Sequence, residues 1–110
     1  MQQMIDLTKY TGRDEIILSG RPKGEELRQK LNLEKMDSEA DAIKIIIPQH
    51  IVSLNSSFFL GLFTESVKKF GEEGFRSKYF FECRPILMKD IDAGIHQALN
   101  TSNPLIAPKK

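Results

Sequence analysis

Apolar positions along this chain change their spacing several times, and each change marks an element. Ile43 to Ile47 is a run of apolar, β-branched residues interrupted only by Lys44, the pattern of a central strand covered on both faces. Pro48 cannot donate to a ladder and ends it. After Asn55 the period becomes helical. Phe59, Phe63, Val67 and Phe70 recur at intervals of four, four and three, a single stripe widened by Leu60 and Leu62, and Gly71-Glu72-Glu73-Gly74 stops it. Met88, Ile91, Ile95 and Leu99 repeat at three, four and four and predict a last helix ending before Pro104.

The first third is more weakly patterned. Met4 to Leu7 alternates briefly and reads as a first strand; Glu15 to Ser19 reads as a second. The polar, glycine-containing turn at residues 11–14 makes a hairpin of the two plausible. Pro22 suits the first turn of a helix running to about Leu33, with Leu27 and Leu31 four apart on its buried face. Residues 34–41, "EKMDSEAD", read as a charged connector, and Ser77 to Cys83 as a fourth strand. The predicted order is β-β-α-β-α-β-α. Strand–helix–strand crossovers put parallel strands under helices. The expectation is an α/β sandwich, a four-stranded mixed sheet with three helices on its faces and Ile45, Ile47, Phe59, Phe63 and Ile95 in the core.

With 110 residues, the chain fits one domain, assigned here to residues 1–103 with a C-terminal tail at 104–110. A net charge of +1 argues against nucleic acid as a partner. The lone cysteine, Cys83, excludes an intrachain disulfide, and His50 and His96 have no carboxylate or thiol at ligand spacing, so neither a metal nor another cofactor is expected. No apolar run approaches membrane-spanning length and no leader is evident, so a cytoplasmic protein without membrane contact is expected.

Two motifs remain as candidate chemistry. In "NSSFFLGLFTESVKKF", Asn55 is a good N-cap, and Ser56 and Ser57 stand at the first helical positions, where a phosphate would meet unpaired N–H groups and the positive end of the helix dipole. "SGRPKGEELR", Ser19 to Arg28, joins two glycines and two arginines to a helix start, so Gly20, Arg21, Gly24 and Arg28 are candidate anion ligands. That segment lacks the Lys-Ser/Thr ending of a P-loop. Solvated charges on a plain turn, and serines that only cap a helix, account for both motifs without any ligand.

The element order, together with Ser56-Ser57-Phe58, the following Leu60-Gly61-Leu62-Phe63 and the upstream "SGRPKGEELR" turn, resembles the bacterial STAS-like domain of unknown function, related in fold to the STAS domains of anti-sigma factor antagonists. The resemblance spans residues 3 to 100 or so. It implies a non-catalytic regulatory module that binds a protein partner, an ATPase of the histidine-kinase-like fold, and is switched by phosphorylation of a serine at the helix tip. By position that serine is Ser56, with Ser57, Asn55 and Phe58 around it; Asn55 stands where the antagonists carry Asp, and Phe58 where they carry Gly. The expected state is a monomer or weak homodimer. The alternative reading is a small-ligand domain binding a nucleotide or other anion at the "SGRPKGEELR" turn. A hydrolase using Ser56 with His50 is a third reading, for which no orienting acid or oxyanion hole is visible.

Overall fold

The computed structural model describes residues 2–39 and 41–101. Strands β1 (Gln2–Asp6), β2 (Ile17–Leu18), β3 (Ala42–Ile46), β4 (Ser53–Leu54) and β5 (Tyr79–Glu82) alternate with helices α1 (Arg21–Leu31), α2 (Leu33–Glu39), α3 (Ser56–Lys78) and α4 (Leu87–Thr101). A short 3-10 helix, Leu7–Tyr10, follows β1.

The α/β class holds, but the arrangement differs from the expectation. Instead of one four-stranded mixed sheet, a three-stranded parallel sheet in the order β1-β3-β5 stands beside a two-stranded parallel sheet, β2-β4. β1 and β2 do not pair as a hairpin; each finds a partner far along the chain, β1 with β3 and β2 with β4. A hairpin turn would hold the two strands antiparallel and adjacent, whereas the 3-10 helix after Asp6 takes the chain out of that register.

The described residues form four α-helices rather than three. The connector at 34–41 contains α2, because Asn32 adopts a left-handed conformation (φ 55°) whose N–H closes the end of α1 on Arg28 and Gln29 carbonyls, and a new helix starts at once. Nor does α3 stop at Gly71. That residue takes φ 76° and ψ 174°, a conformation that a side chain would disfavour, and the helix bends and resumes to Lys78. The bend returns Phe75 to the core, where its ring stacks on Tyr79 at 4.6 Å and 17°. Residues expected to open the last strand are thereby helical, and β5 begins only at Tyr79.

The core is where the apolar periods placed it: Ile45, Ile47, Phe59, Phe63 and Ile95 are all buried. Phe63 makes edge contacts with Tyr79 and Phe81 of β5, so α3 covers one face of the three-stranded sheet. Ile5, Ile43, Ile45 and Tyr79 point to that face. Among the described residues no element covers the opposite face, which corrects the reading of Ile43 to Ile47 as a strand enclosed on both sides. There Met4, Lys44 and Phe80 lie in one row across the three strands, and Lys44 pairs with Glu82 at 2.8 Å. Lys44, the one interruption in the apolar run, marks the open side.

Among the described residues no helix is long and apolar enough to cross a membrane. The tail assigned to 104–110 lies outside them.

Candidate functional site

Two strand-to-helix turns meet at one end of the molecule. β2 leads through Ser19 and Gly20 into α1, and β4 leads through Asn55 into α3. Because β2 and β4 are parallel and in register (Ile17 with Ser53, Leu18 with Leu54), the two helices start side by side. Asn55 N–H donates to Leu18 C=O at 2.7 Å and Val52 N–H to Ile16 C=O at 2.8 Å, which continues the ladder to both ends of the pair. From α4, Asp90 accepts the Leu54 N–H at 2.8 Å and fixes β4 from the other side.

The helices then run together with almost no space between them. A Cβ on Gly24 of α1 would collide with the backbone of Phe58, Gly61 and Leu62, and one on Gly61 of α3 with that of Arg21 and Glu25. Backbone therefore touches backbone, and this approach holds the start of α1 against the start of α3. Gly24, a candidate anion ligand from the sequence, is thus committed to helix packing and buried.

At the tip the two serines have different duties. Asn55 Oδ1 caps α3 by accepting from Ser57 N at 2.8 Å and from Ser57 Oγ at 2.7 Å. Ser57 Oγ in turn accepts from Gly20 N at 3.1 Å, so this hydroxyl bridges the two helix starts. Ser56 is half-exposed, and its hydroxyl has no hydrogen-bond partner among the described residues. Phe58 is buried in the core, which corrects its inclusion among surface residues of the tip: at the third helical position it lies on the inward side with Phe59 and Leu62. The exposed apolar residues nearest in the β2–β4 ladder are Ile16, Ile17 and Val52.

Arg21 and Arg28, the two candidate cations, both line an open groove of about 430 Å³ along α1 and α3. Glu25, Glu34 and Glu65 line it too, so the groove holds more carboxylates than guanidinium groups. Arg21 is exposed and sits 3.4 Å from Glu25 one turn on. Arg28 is drawn inward. Its Nη1 donates to Leu62 C=O and to Ser66 Oγ, each at 2.9 Å, and its Nη2 lies 3.3 Å from Asp37 Oδ2.

That arginine belongs to a polar cluster that the sequence reading missed. Asp37 of α2 is 4% exposed; it accepts from Arg28, from Ser66 Oγ and, at 2.5 Å, from Tyr79 OH. Burial, with the hydrogen bond to the Asp37 carboxylate second, pushes the Tyr79 phenol well above its usual range. Four elements, α1, α2, α3 and β5, are joined through one carboxylate. A serine, a carboxylate and an arginine in contact resemble catalytic machinery, but Ser66 is wholly buried and no substrate can reach it. Two spacings signalled the cluster: Ser66 stands three after Phe63 on the apolar stripe, and Asp37 stands four after the buried Leu33.

His50 Nε2 lies 3.1 Å from Gly12 C=O, and no hydrogen bond joins it to Ser56 among the described residues, so the geometry gives a serine–histidine pair no support. Cys83 is half-buried, and burial raises its thiol pKa, the reverse of what a reactive cysteine needs. Among the described residues no group of three His, Cys, Asp or Glu side chains could hold a metal.

Comparison with family models, with curated proteins and with solved structures finds no match for this chain.

Proposed function

We propose that this protein is a non-catalytic regulatory module that binds another protein through the surface around Ser56, in the manner of the STAS-like domains its sequence resembles. One observation carries the reading. Of two adjacent serines on a helix start, Ser57 is consumed by the fold, while Ser56 presents an unengaged, half-exposed hydroxyl where two helix N-termini meet. A hydroxyl in that place can be modified without breaking a bond that the fold uses. A phosphate there adds between one and two negative charges at the positive ends of two helix dipoles, which favours its presence on the folded domain. It also changes the charge of the surface at the two helix starts. The partner class that follows from the resemblance is a histidine-kinase-like ATPase.

The anion-binding alternative has less support, since Gly24 is occupied by helix packing, Arg28 by Asp37, and the groove beside Arg21 by carboxylates. A pull-down from the native host with wild type, Ser56→Ala and Ser56→Asp tests the reading, with melting temperatures measured in parallel. A partner retained by the first two and lost by Ser56→Asp at unchanged stability is the expected result. Equal retention by all three overturns the switch. Stabilisation of the isolated protein by a nucleotide alone favours the ligand domain instead.

A further inference from the structure

Strand β5 has a free edge with a specific set of backbone groups. Among the described residues it pairs only with β3. Glu82 C=O accepts from Ile47 N–H at 2.9 Å, so Glu82 and, two residues back, Phe80 direct their backbone groups to β3. Tyr79 and Phe81 direct theirs outward. Tyr79 N–H is spent on Phe75 C=O at the end of α3, which leaves Tyr79 C=O, Phe81 N–H and Phe81 C=O on the edge. Beside that edge an apolar cleft of about 310 Å³ lies between β5 and α4, lined in part by Phe75, Phe81, Met88, Ile91 and Ile95. Met88 is 41% exposed there, and Phe80 is 48% exposed on the open side of the sheet.

The chain itself leads back to this edge. β3 and β5 are parallel and joined through α3, and α4 packs beside α3, with Gly94 against the Phe59 ring. A chain that leaves β5 through α4 and returns parallel on the free edge repeats the β3–α3–β5 crossover, in the same direction across the sheet and with the same hand. α4 ends at Thr101. The residues that follow, outside the described ones, read Ser-Asn-Pro-Leu-Ile-Ala-Pro-Lys-Lys. Asn103 and Ala107 each precede a proline, which biases them to extended backbone. Ile95, which lines the cleft, stands about 9 Å of helix before Thr101, and the chain from Thr101 to Leu105 spans up to about 13 Å.

We propose that Leu105 to Ala107 pair with β5 as a fourth parallel strand of this sheet, a latch that closes the cleft with Ile106. The prolines fix the register. In a parallel pair one residue serves two groups of its neighbour, so Leu105 N–H donates to Tyr79 C=O and Leu105 C=O accepts from Phe81 N–H. Two residues on, Ala107 N–H donates to Phe81 C=O, and every open group of the edge has a partner. Pro104, Ile106 and Pro108 then turn their backbone away from β5, where a missing N–H costs nothing and the prolines blunt the new edge. A shift of one residue either way sets Pro104 or Pro108 against a carbonyl with no proton to give. A shift of two puts a proline, in place of Ile106, over the cleft. In the chosen register Leu105 stands beside Phe80 on the open side, and Ile106 beside Phe81 on the helix side. This edge is separate from the serine tip, and the proposal is independent of the function assigned there.

Amide hydrogen exchange of the full chain tests the pairing. Phe81 N–H should exchange at least about tenfold more slowly in wild type than in Ile106→Asp, whose carboxylate is excluded from an apolar cleft. Ile47 N–H, bonded to Glu82 C=O, should stay equally protected in both, which separates unlatching from unfolding. In a Cys83→Ser background, Phe80→Cys with Leu105→Cys should close an intrachain disulfide on mild oxidation. Closure should be at least about tenfold faster than for Phe80→Cys with Ile106→Cys, whose side chains leave opposite faces. Equal Phe81 exchange in wild type and Ile106→Asp overturns the proposal, and so do equal rates of disulfide closure. Phe81 protection that disappears on dilution overturns it as well and assigns the edge to a second copy.

Discussion

Helix α3 carries two serine clusters three turns apart, and they are built for opposite ends. At its start, Asn55, Ser57 and Gly20 form a short hydrogen-bonded cap with Ser56 left over and half-exposed. In its middle, Ser66 is sealed with Asp37, Tyr79 and Arg28, and each of these side chains has a partner. The first cluster can lose or gain a charge with little consequence, because water is close and no buried group depends on Ser56. The second cannot, because a buried charge whose partner is removed has no solvent to turn to. The same residue type is thus a surface handle in one place and a structural joint in the other.

The comparison breaks most readily at Asp37. Asp37→Ala leaves the inward-drawn Arg28 unpaired and takes the acceptor from Tyr79 OH and Ser66 Oγ, so it should cost about 3–5 kcal/mol in a urea titration. Arg28→Met with Asp37→Leu, which removes both charges but still leaves the Tyr79 and Ser66 hydroxyls without their acceptor, should recover only the part of that loss due to the unpaired Arg28. A single-variant cost under about 1 kcal/mol would mean the cluster is wetter than its burial implies.

Tyr79 offers a pH signature that the tip lacks. Its phenol titrates above its ordinary value in the folded state. The folded protein therefore keeps a proton that the unfolded chain releases near pH 10, and stability present below about pH 10 is lost as pH rises beyond it. Unfolding free energy measured between neutral and strongly alkaline pH should fall in wild type. Tyr79→Phe should flatten that fall at the expense of about 1–2 kcal/mol at neutral pH, for the hydrogen bond to Asp37. An identical alkaline slope in the two proteins would remove Tyr79 from the explanation.

The smallest effects belong to the tip and separate its members. Asn55→Ala should cost about 1 kcal/mol through loss of the cap. Ser56→Ala should change stability by no more than about 0.5 kcal/mol. Thermal melts decide this, and a Ser56 loss as large as that of Asn55 would make both serines structural.

Legibility followed the same division. The tip was readable because a cap is a local event: Asn, two serines and the apolar period that follows specify it within one turn. The interior cluster was not, because its four residues lie on four elements and Arg28 is separated from Tyr79 by most of the middle of the chain. One misreading hid it. With residues 34–41 taken as a connector, Asp37 had no face, and a carboxylate in "EKMDSEAD" looked like one solvated charge among several.

By itself the sequence determined the α/β class, where the long helices begin, the N-cap at Asn55 and the core residues from Ile45 to Ile95, all consequences of periodicity and local hydrogen bonding. Which strands pair was decided only in three dimensions. β2 and β4 are two residues each and carry no register of their own, so the near-contact of α1 and α3 at Gly24 and Gly61 sets which strand ends lie together. Likewise, Lys44 in an apolar strand could not reveal that no described element covers one sheet face, since burial of a face depends on where every helix lands. The helices land on the side that buries Ile43, Ile45 and Tyr79, and the row Met4, Lys44 and Phe80 is what remains outside.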